Sequence, residues 1–496
     1  MNFAGVDLDL LIVGAGISGI GIASNVKRRF PAKTFEILEA REELGGTWSL
    51  FRYPGLRSDS DLHTLGYSFR PWLKEQAIAD GASILSYIDD TATETGVKDS
   101  IRYGQRVIGA DWDSAGHHWK IEVEEVATGA VRTVTARWFI AATGYYRYDR
   151  GHTPEFPGSE RFEGRIVHPQ FWPDDLDYTG KRVVVIGSGA TAVTLIPAIA
   201  PDAEHVTMLQ RTPSYVVAIP AIDPLGSRIK RWFGPKLGHR IVREKNIWIS
   251  RLFYRLSKRF PDRVRRLIRS WNVKALGPDF DVDRHFSPPY GPWDQRMCLV
   301  PDGDLFRVLR EGSASIVTDR IETFTEDGIR LESGDELAAD VIVTATGLEL
   351  LAFGGIDVAV DGEPVSLPDT YTYKSMMLTG VPNFAYLFGY TNASWTLRVD
   401  LVCDRLCRLI ELMDRNNLEV CVADEPDAGS DRPLVDLDAG YIQRSQHKLP
   451  KQGPGDPWEL GMDYVKDRRS MRRGPFAAGL RFTPAADEDA STLPAG

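Results

Sequence analysis

Two glycine-rich turns carry the clearest chemistry in this chain. Asp9-Leu10-Leu11-Ile12-Val13 is an apolar run of strand length. Gly14-Ala15-Gly16-Ile17-Ser18-Gly19 follows without a gap, and Ile20–Arg29 reads as a helix. A GxGxxG between strand and helix is the fingerprint of a dinucleotide site. Gly14 makes the tight turn, Gly16 lets the backbone approach a pyrophosphate, and Gly19 lets helix pack on strand. The helix N-terminus offers free N–H groups and a positive dipole end to the phosphates. The next strand, Thr34–Leu38, ends in Glu39, twenty residues after Gly19, where a carboxylate can accept from a ribose diol. The unit recurs as a strand Lys181–Ile186, a turn Gly187-Ser188-Gly189-Ala190-Thr191-Ala192 and a helix Val193–Ala200. Here the following strand, His205–Gln210, runs into Arg211-Thr212 instead of an acid. An arginine there clamps a 2′-phosphate that a carboxylate would repel. The first site therefore suits FAD or NAD, and the second NADPH.

The elements that must position these turns follow from composition and pattern. A chain of 496 residues with 43% hydrophobic and 26% charged residues is that of an ordinary soluble protein of several domains. A net charge of −10 argues against nucleic acid as a partner. Four cysteines, Cys298, Cys403, Cys407 and Cys421, show no CxxC spacing, so neither a metal site nor a redox disulfide is expected. Asp7 and Asp9 stand where a signal peptide would be basic, which makes the cytoplasm the expected compartment. Two apolar strands, Trp138–Ala142 and Val341–Ala345, each run into a Thr-Gly, as strands do when they end against a cofactor.

Between the two turns lies Phe162-Glu163-Gly164-Arg165-Ile166-Val167-His168-Pro169-Gln170-Phe171-Trp172-Pro173. It resembles the Phe-x-Gly-x-x-x-His-x-x-x-Trp-Pro fingerprint of type I Baeyer–Villiger monooxygenases, and within them the ethionamide-activating branch of actinobacteria. Gly45-Gly46-Thr47-Trp48, the run from Tyr53 to Asp59, Pro292–Arg296 and Gly389–Trp395 are similar to other signatures of that family. The resemblance implies an α/β fold of two Rossmann-like dinucleotide domains. The FAD domain is discontinuous (1–147 and 348–496), and the NADPH domain (148–347) carries a helical insertion at about 217–284. It implies that Gly14, Ala15, Gly16, Ser18, Gly19, Glu39, Thr47, Trp48, Ser49, Leu50 and Val107 line FAD. Arg57, Ser58 and Asp59 lie between flavin and nicotinamide. Gly187, Ser188, Gly189, Ala190, Thr191, Ala192 and Val193 hold NADPH with Arg211 and Thr212. Arg296 is the catalytic arginine, oriented by Asp59. Gln295 departs from the lysine common in relatives and leaves more of the 2′-phosphate selectivity to Arg211. His168 is read as a conformational element where the domains meet, because no acid–base partner flanks it. The implied reaction converts ketones to esters or lactones through a C4a-peroxyflavin. Oxygenation of thioether or thioamide sulfur, or of nitrogen, is the alternative within enzymes; a nucleotide-sensing or membrane-docked flavoprotein is the alternative outside them.

One stretch departs from the pattern. Residues 228–274 carry sixteen Lys/Arg against Glu244 and Asp262, a local charge of +14. Trp248, Leu252, Tyr254 and Phe260 interleave with the arginines, so the stretch is expected to form basic amphipathic helices near the active site. Such helices are either solvated or in weak contact with an anionic membrane. From Thr483 the composition turns to Ala, Asp, Pro and Ser, and disorder is expected. Small-molecule substrate, O2 and the two cofactors are the expected partners; no oligomeric state follows.

Overall fold

In the computed structural model, which describes residues 6–435 and 438–485, each glycine-rich turn leaves the end of a parallel sheet. In the first sheet, Leu8–Val13 lies parallel between Phe35–Leu38 and the end of Val131–Ala141. Ile101–Arg102 and Phe384–Tyr386 extend the parallel part at its two sides. The first half of Val131–Ala141 instead belongs to an antiparallel meander with His118–Glu125 and Gln105–Asp113, to which Asp357–Val360 adds. Strands covered on both faces read as continuous apolar runs. Leu10, Ile12, Ile37 and Ile140 pack toward the helices Ile17–Arg29 and Trp395–Arg415, while Leu11, Val13, Leu38 and Phe139 pack on the other side.

The second sheet repeats the plan. Ala314–Thr318, His205–Gln210, Arg182–Ile186, Val341–Thr344 and Arg165–Val167 are all parallel, in that order. A small separate antiparallel meander, Ile321–Thr325, Gly328–Leu331 and Glu336–Ala338, lies in the chain between the strands Ala314–Thr318 and Val341–Thr344. Tyr146–Gly151, leaving the first sheet, pairs antiparallel with Leu348–Leu350, returning to it.

The insertion rises from a pair of parallel strands, Val216–Ile219 and Cys298–Pro301. Its helices are Pro224–Arg259, interrupted at Gly234, and Pro261–Leu276. Arg243 fixes the long helix to the first domain. It pairs with Asp400 at 2.7 Å and donates to the carbonyls of His63, Thr64 and Gly66. Among the described residues, no helix is long and apolar enough to cross a membrane. The four cysteines are buried and free. The disorder expected from Thr483 is corrected at its start: Leu480–Pro484 is a strand paired with Leu418–Ala423. Phe482 there packs against the first core, so the composition of the segment is overridden by pairing. Residues 486–496 lie outside the described residues.

Where the long helix meets the short helix Leu62–Leu65, the buried rings of His63 and His239 stand edge to face, centroids 5.9 Å apart. Burial, with Arg243 beside it, pushes His239 down to about 4, and burial also lowers His63. The folded chain thus keeps both rings neutral at pH values where the unfolded chain protonates them. Their contribution to stability is full above the unfolded value of 6.5 and is lost as pH falls toward the folded one. The expected slope is up to about 1.4 kcal/mol per pH unit for each ring. Urea midpoints at pH 7.5 and 5 should show the loss, and His239→Phe should flatten it; an equal slope in the variant would refute the assignment.

Candidate active site

The first turn is built as its spacing demands. Gly14 has φ +101°, and a Cβ there would lie 2.8 Å from the carbonyl oxygen of Ala142, at the end of the neighbouring strand. Gly16 caps the helix Ile17–Arg29 with no side-chain acceptor, so its first N–H groups are open to an anion. Glu39 is buried, and its carboxylate accepts from the backbone N–H of Ala15 at 2.8 Å and of Arg41 at 3.0 Å. Burial raises its pKa despite those bonds. The acid expected to meet a ribose thus also fastens the turn. Thr47–Leu50 is one helical turn, with Ser49 buried and accepting from Arg41 at 2.6 Å. Val107 is buried in the adjacent strand, two residues after Gln105, whose N–H donates to the Glu39 carbonyl. Ser18 accepts from the indole of Trp395 at 2.8 Å, and that indole stacks on Tyr145.

Asp59, on the loop after that helical turn, and Arg296, from the far side of the insertion, form an ion pair at 2.8 Å. Each side chain is 29% exposed, so solvent reaches the pair. Asp294, two residues away, pairs with Lys258 instead, and Asp302 accepts from the Ala221 N–H. Burial opposes the charge on Arg296, but the Asp59 carboxylate beside it outweighs burial and holds its pKa above the ordinary value. Tyr145 and Tyr146 share a hydroxyl contact of 3.0 Å, and burial raises both and Tyr441. Burial pushes the Cys298 thiol up to about 12, so it remains protonated. Ser58 is buried, its hydroxyl donating to the Ser60 carbonyl. Arg57 is spent on a two-point ion pair with Asp304 of the second domain. Arg57 and Tyr53 also line a cleft of about 680 Å³ bounded by Trp48, Phe51 and Leu56.

The second turn mirrors the first. Gly187 has φ +140°, and a Cβ there would lie 2.3 Å from the Ala345 carbonyl oxygen. Gly189, the uncapped N-cap of the helix Ala190–Ile199, faces open space, and Ala190 is exposed. Ser188 donates to the Thr212 carbonyl at 3.0 Å, which ties the turn to the segment after the next strand. Thr191 touches the Tyr53 hydroxyl, while Ala192 and Val193 are buried in the core beneath. Arg211 is exposed, with no acid in ion-pair range among the described residues. Both turns therefore fit a dinucleotide: two uncapped helix N-termini, one beside a buried acid and one beside a free arginine. No cluster of His, Cys, Asp and Glu able to hold a metal occurs among the described residues.

Residues 12–75 match the NAD(P)-binding Rossmann-like domain, and residues 77–230 match the family described as flavin-binding monooxygenase-like. The chain is 50% identical over 480 residues to the FAD-containing monooxygenase EthA of Mycobacterium tuberculosis, covering 96% of this chain and 97% of that one. The chain belongs to the FAD-containing monooxygenases. It is also 45% identical to the probable FAD-binding monooxygenase AlmA of Acinetobacter baylyi over 97% of both chains. A structure of cyclohexanone monooxygenase from Rhodococcus sp. Phi1 bound to NADP+ superposes with a TM-score of 0.74 at 20% identity. It covers 97% of this chain and 100% of that one, and it shows the shared fold.

In this monooxygenase His168 sits where the second sheet meets the paired linkers. Its Nδ1 accepts from the Gln170 N–H, so Nε2 carries the proton and donates to the Gly347 carbonyl at 3.2 Å. Burial lowers its pKa, which favours this neutral form. A Cβ on Gly151 would lie 2.1 Å from the ring, so the histidine is wedged against the outgoing linker. The residues missed by sequence reading are the three tyrosines around Arg296. Tyr145 and Tyr146 follow the Ala-Thr-Gly turn directly and could have been found from that position. Tyr441, 145 residues beyond Arg296 on a four-residue helix, carries no sequence signal.

Proposed function

We propose that this monooxygenase performs Baeyer–Villiger oxidation. One atom of O2 enters the bond beside a ketone carbonyl, the other leaves as water, and NADPH supplies the hydride. The observation that carries the reading is Arg296 held by Asp59 at 2.8 Å between the two nucleotide turns. Tyr145 links this pair to the first turn through Trp395 and Ser18, and Cys298 links it to the second through the Ser188 carbonyl. Bound FAD supplies hydride acceptance and the activation of O2. Arg296 supplies a positive charge that persists at any working pH, so it can stabilise developing oxygen anions without surrendering a proton. Asp59 fixes the plane of the guanidinium. The buried tyrosines keep their protons, so they add hydrogen-bond donors without adding charge. Glu39 and the turn at Gly14–Gly19 would hold FAD; Gly187–Val193, Arg211 and Thr212 would hold NADPH. Peripheral contact with an anionic membrane through residues 228–274 belongs to the same reading.

The test is product analysis by mass spectrometry with NADPH and air over linear, cyclic and aryl ketones and thioethers. Esters or lactones are expected. Sulfoxides alone would assign heteroatom oxygenation, and a flavoprotein that oxygenates nothing in the panel would assign a sensing role.

Arg211 is expected to select NADPH. A charge-assisted contact to the 2′-phosphate is worth ~1.5–3 kcal/mol, so Arg211→Ala should lower kcat/KM for NADPH about 10- to 150-fold. Steady-state rates with NADH should hardly change, and equal use of both coenzymes by the wild type would overturn the assignment.

A further inference from the structure

The insertion exposes what a monomeric surface normally hides. Of the seventeen large apolar side chains exposed among the described residues, twelve lie between Ile222 and Trp271. The sequence reads as amphipathic helices there, but the structure adds a tip. At Gly234 (φ 74°, ψ 168°) the helix breaks, and the chain doubles back so closely that a Cβ on Gly238 would meet the Lys230 backbone at 2.6 Å. Trp232, 72% exposed, and Phe233 and Leu237, each about half exposed, crown this turn. Arg228, Arg231, Lys236 and Arg240 surround them, all exposed and none in ion-pair range of an acid among the described residues. The same arrangement continues along the body of the helix, where Trp248, Ile249 and Leu252 are exposed. Aromatic and aliphatic tips ringed by cations suit the boundary between lipid headgroups and acyl chains. A second copy of the chain or a soluble protein would satisfy the apolar area, but the local excess of +14 on a chain of −10 calls for a densely anionic surface.

We propose that the turn Trp232–Leu237 is a wedge that inserts into the headgroup region of an anionic bilayer, with the cations around it on the lipid phosphates. The wedge is joined to the catalytic loop. The same long helix packs Tyr254 edge-on against Trp293, and its Lys258 pairs with Asp294 at 2.7 Å, two residues before Arg296. Docking along the exposed face that runs from Trp232 to Leu252 lays this helix on the membrane and brings the Arg296 site toward its surface. Resting on the oxygenase reading, this assigns as substrates apolar carbonyl compounds dissolved in the bilayer.

The test is co-sedimentation of the FAD-loaded full chain with vesicles of phosphatidylcholine alone or with 30% phosphatidylglycerol. Partitioning is expected onto the anionic vesicles only, with roughly tenfold or greater weakening between low and 0.5 M salt. Tryptophan emission should shift to the blue on binding. Trp232→Ser with Phe233→Ser should abolish partitioning at either salt while leaving oxidation of a small water-soluble ketone unchanged. Absence of partitioning at low salt overturns the proposal. So does concentration-dependent self-association that the same double variant abolishes, which would assign the face to a second copy. Partitioning does not depend on turnover, so failure of the oxygenase reading would leave the docking result standing.

Discussion

Arg296→Ala is expected to lower the formation of oxygenated product by about 10²–10³-fold while FAD content stays at the wild-type level. Loss of one preorganised stabiliser of negative charge has this cost in other enzymes, ~2.7–4 kcal/mol. The fold should survive, because among the described residues Arg296 pairs with Asp59 alone, and each of the two side chains is 29% exposed. The turn Gly187–Val193, proposed to hold NADPH, does not include Arg296, so anaerobic stopped-flow should still record flavin reduction. In air the variant should consume NADPH slowly and release hydrogen peroxide without ester. Asp59→Ala should show a milder form of the same uncoupling, since it removes the orientation and leaves the charge. Ester formation at the wild-type rate by Arg296→Ala would remove this arginine from the mechanism.

The other large effect concerns stability. Arg243 and Asp400 are the most buried ion pair joining the insertion to the first domain, with side-chain exposures of 9% and 6%. Burial pushes the Asp400 carboxyl up against the pull of Arg243, which marks how costly the charge is there without its partner. Removing one partner of a buried pair costs ~3–5 kcal/mol because the other charge is left uncompensated. Arg243→Met should therefore lower the urea midpoint strongly. It also strips three carbonyls, those of His63, Thr64 and Gly66, of their donor. Asp400→Leu alone should cost as much, and Arg243→Met with Asp400→Leu should recover a measurable part of the sum. Additive losses in the double variant would show that the two side chains act independently.

The parts of this architecture that were legible in the sequence are those fixed by local covalent geometry. Gly14 and Gly187 announce their turns because no other residue fits against Ala142 and Ala345. The strands Leu8–Val13 and Arg182–Ile186 announce themselves because both of their faces are covered. Asp59 and Arg296 could be named only through family signatures, since 237 residues separate them and no periodicity joins them. The structure supplies their distance. What stayed hidden is made by long-range packing among residues of unremarkable type. Tyr441 approaches Arg296 from the last third of the chain. Arg57, expected beside a nicotinamide, is committed to Asp304 because the loop that carries it abuts the helix Asp304–Glu311. The reversal at Gly234 also escaped, because Gly-Pro inside an amphipathic run is compatible with a kink or with a full turn, and only the approach of Gly238 to Lys230 decides it.

The pairing of Tyr146–Gly151 with Leu348–Leu350 has a consequence for biosynthesis. The second sheet uses only residues between Arg165 and Thr344, so all its strands have left the ribosome before the first sheet can close. The first sheet must wait for Asp357–Val360 and Phe384–Tyr386, although its leading strand was made at the start. The NADPH domain is thus the earlier of the two to complete during translation, and its folding brings residues 151 and 348 side by side. The long gap between the two parts of the FAD domain is thereby reduced to the width of one strand pair before those parts meet. The entropy of closing that gap is met by the inserted domain's own core, and the outer domain assembles around a junction already formed.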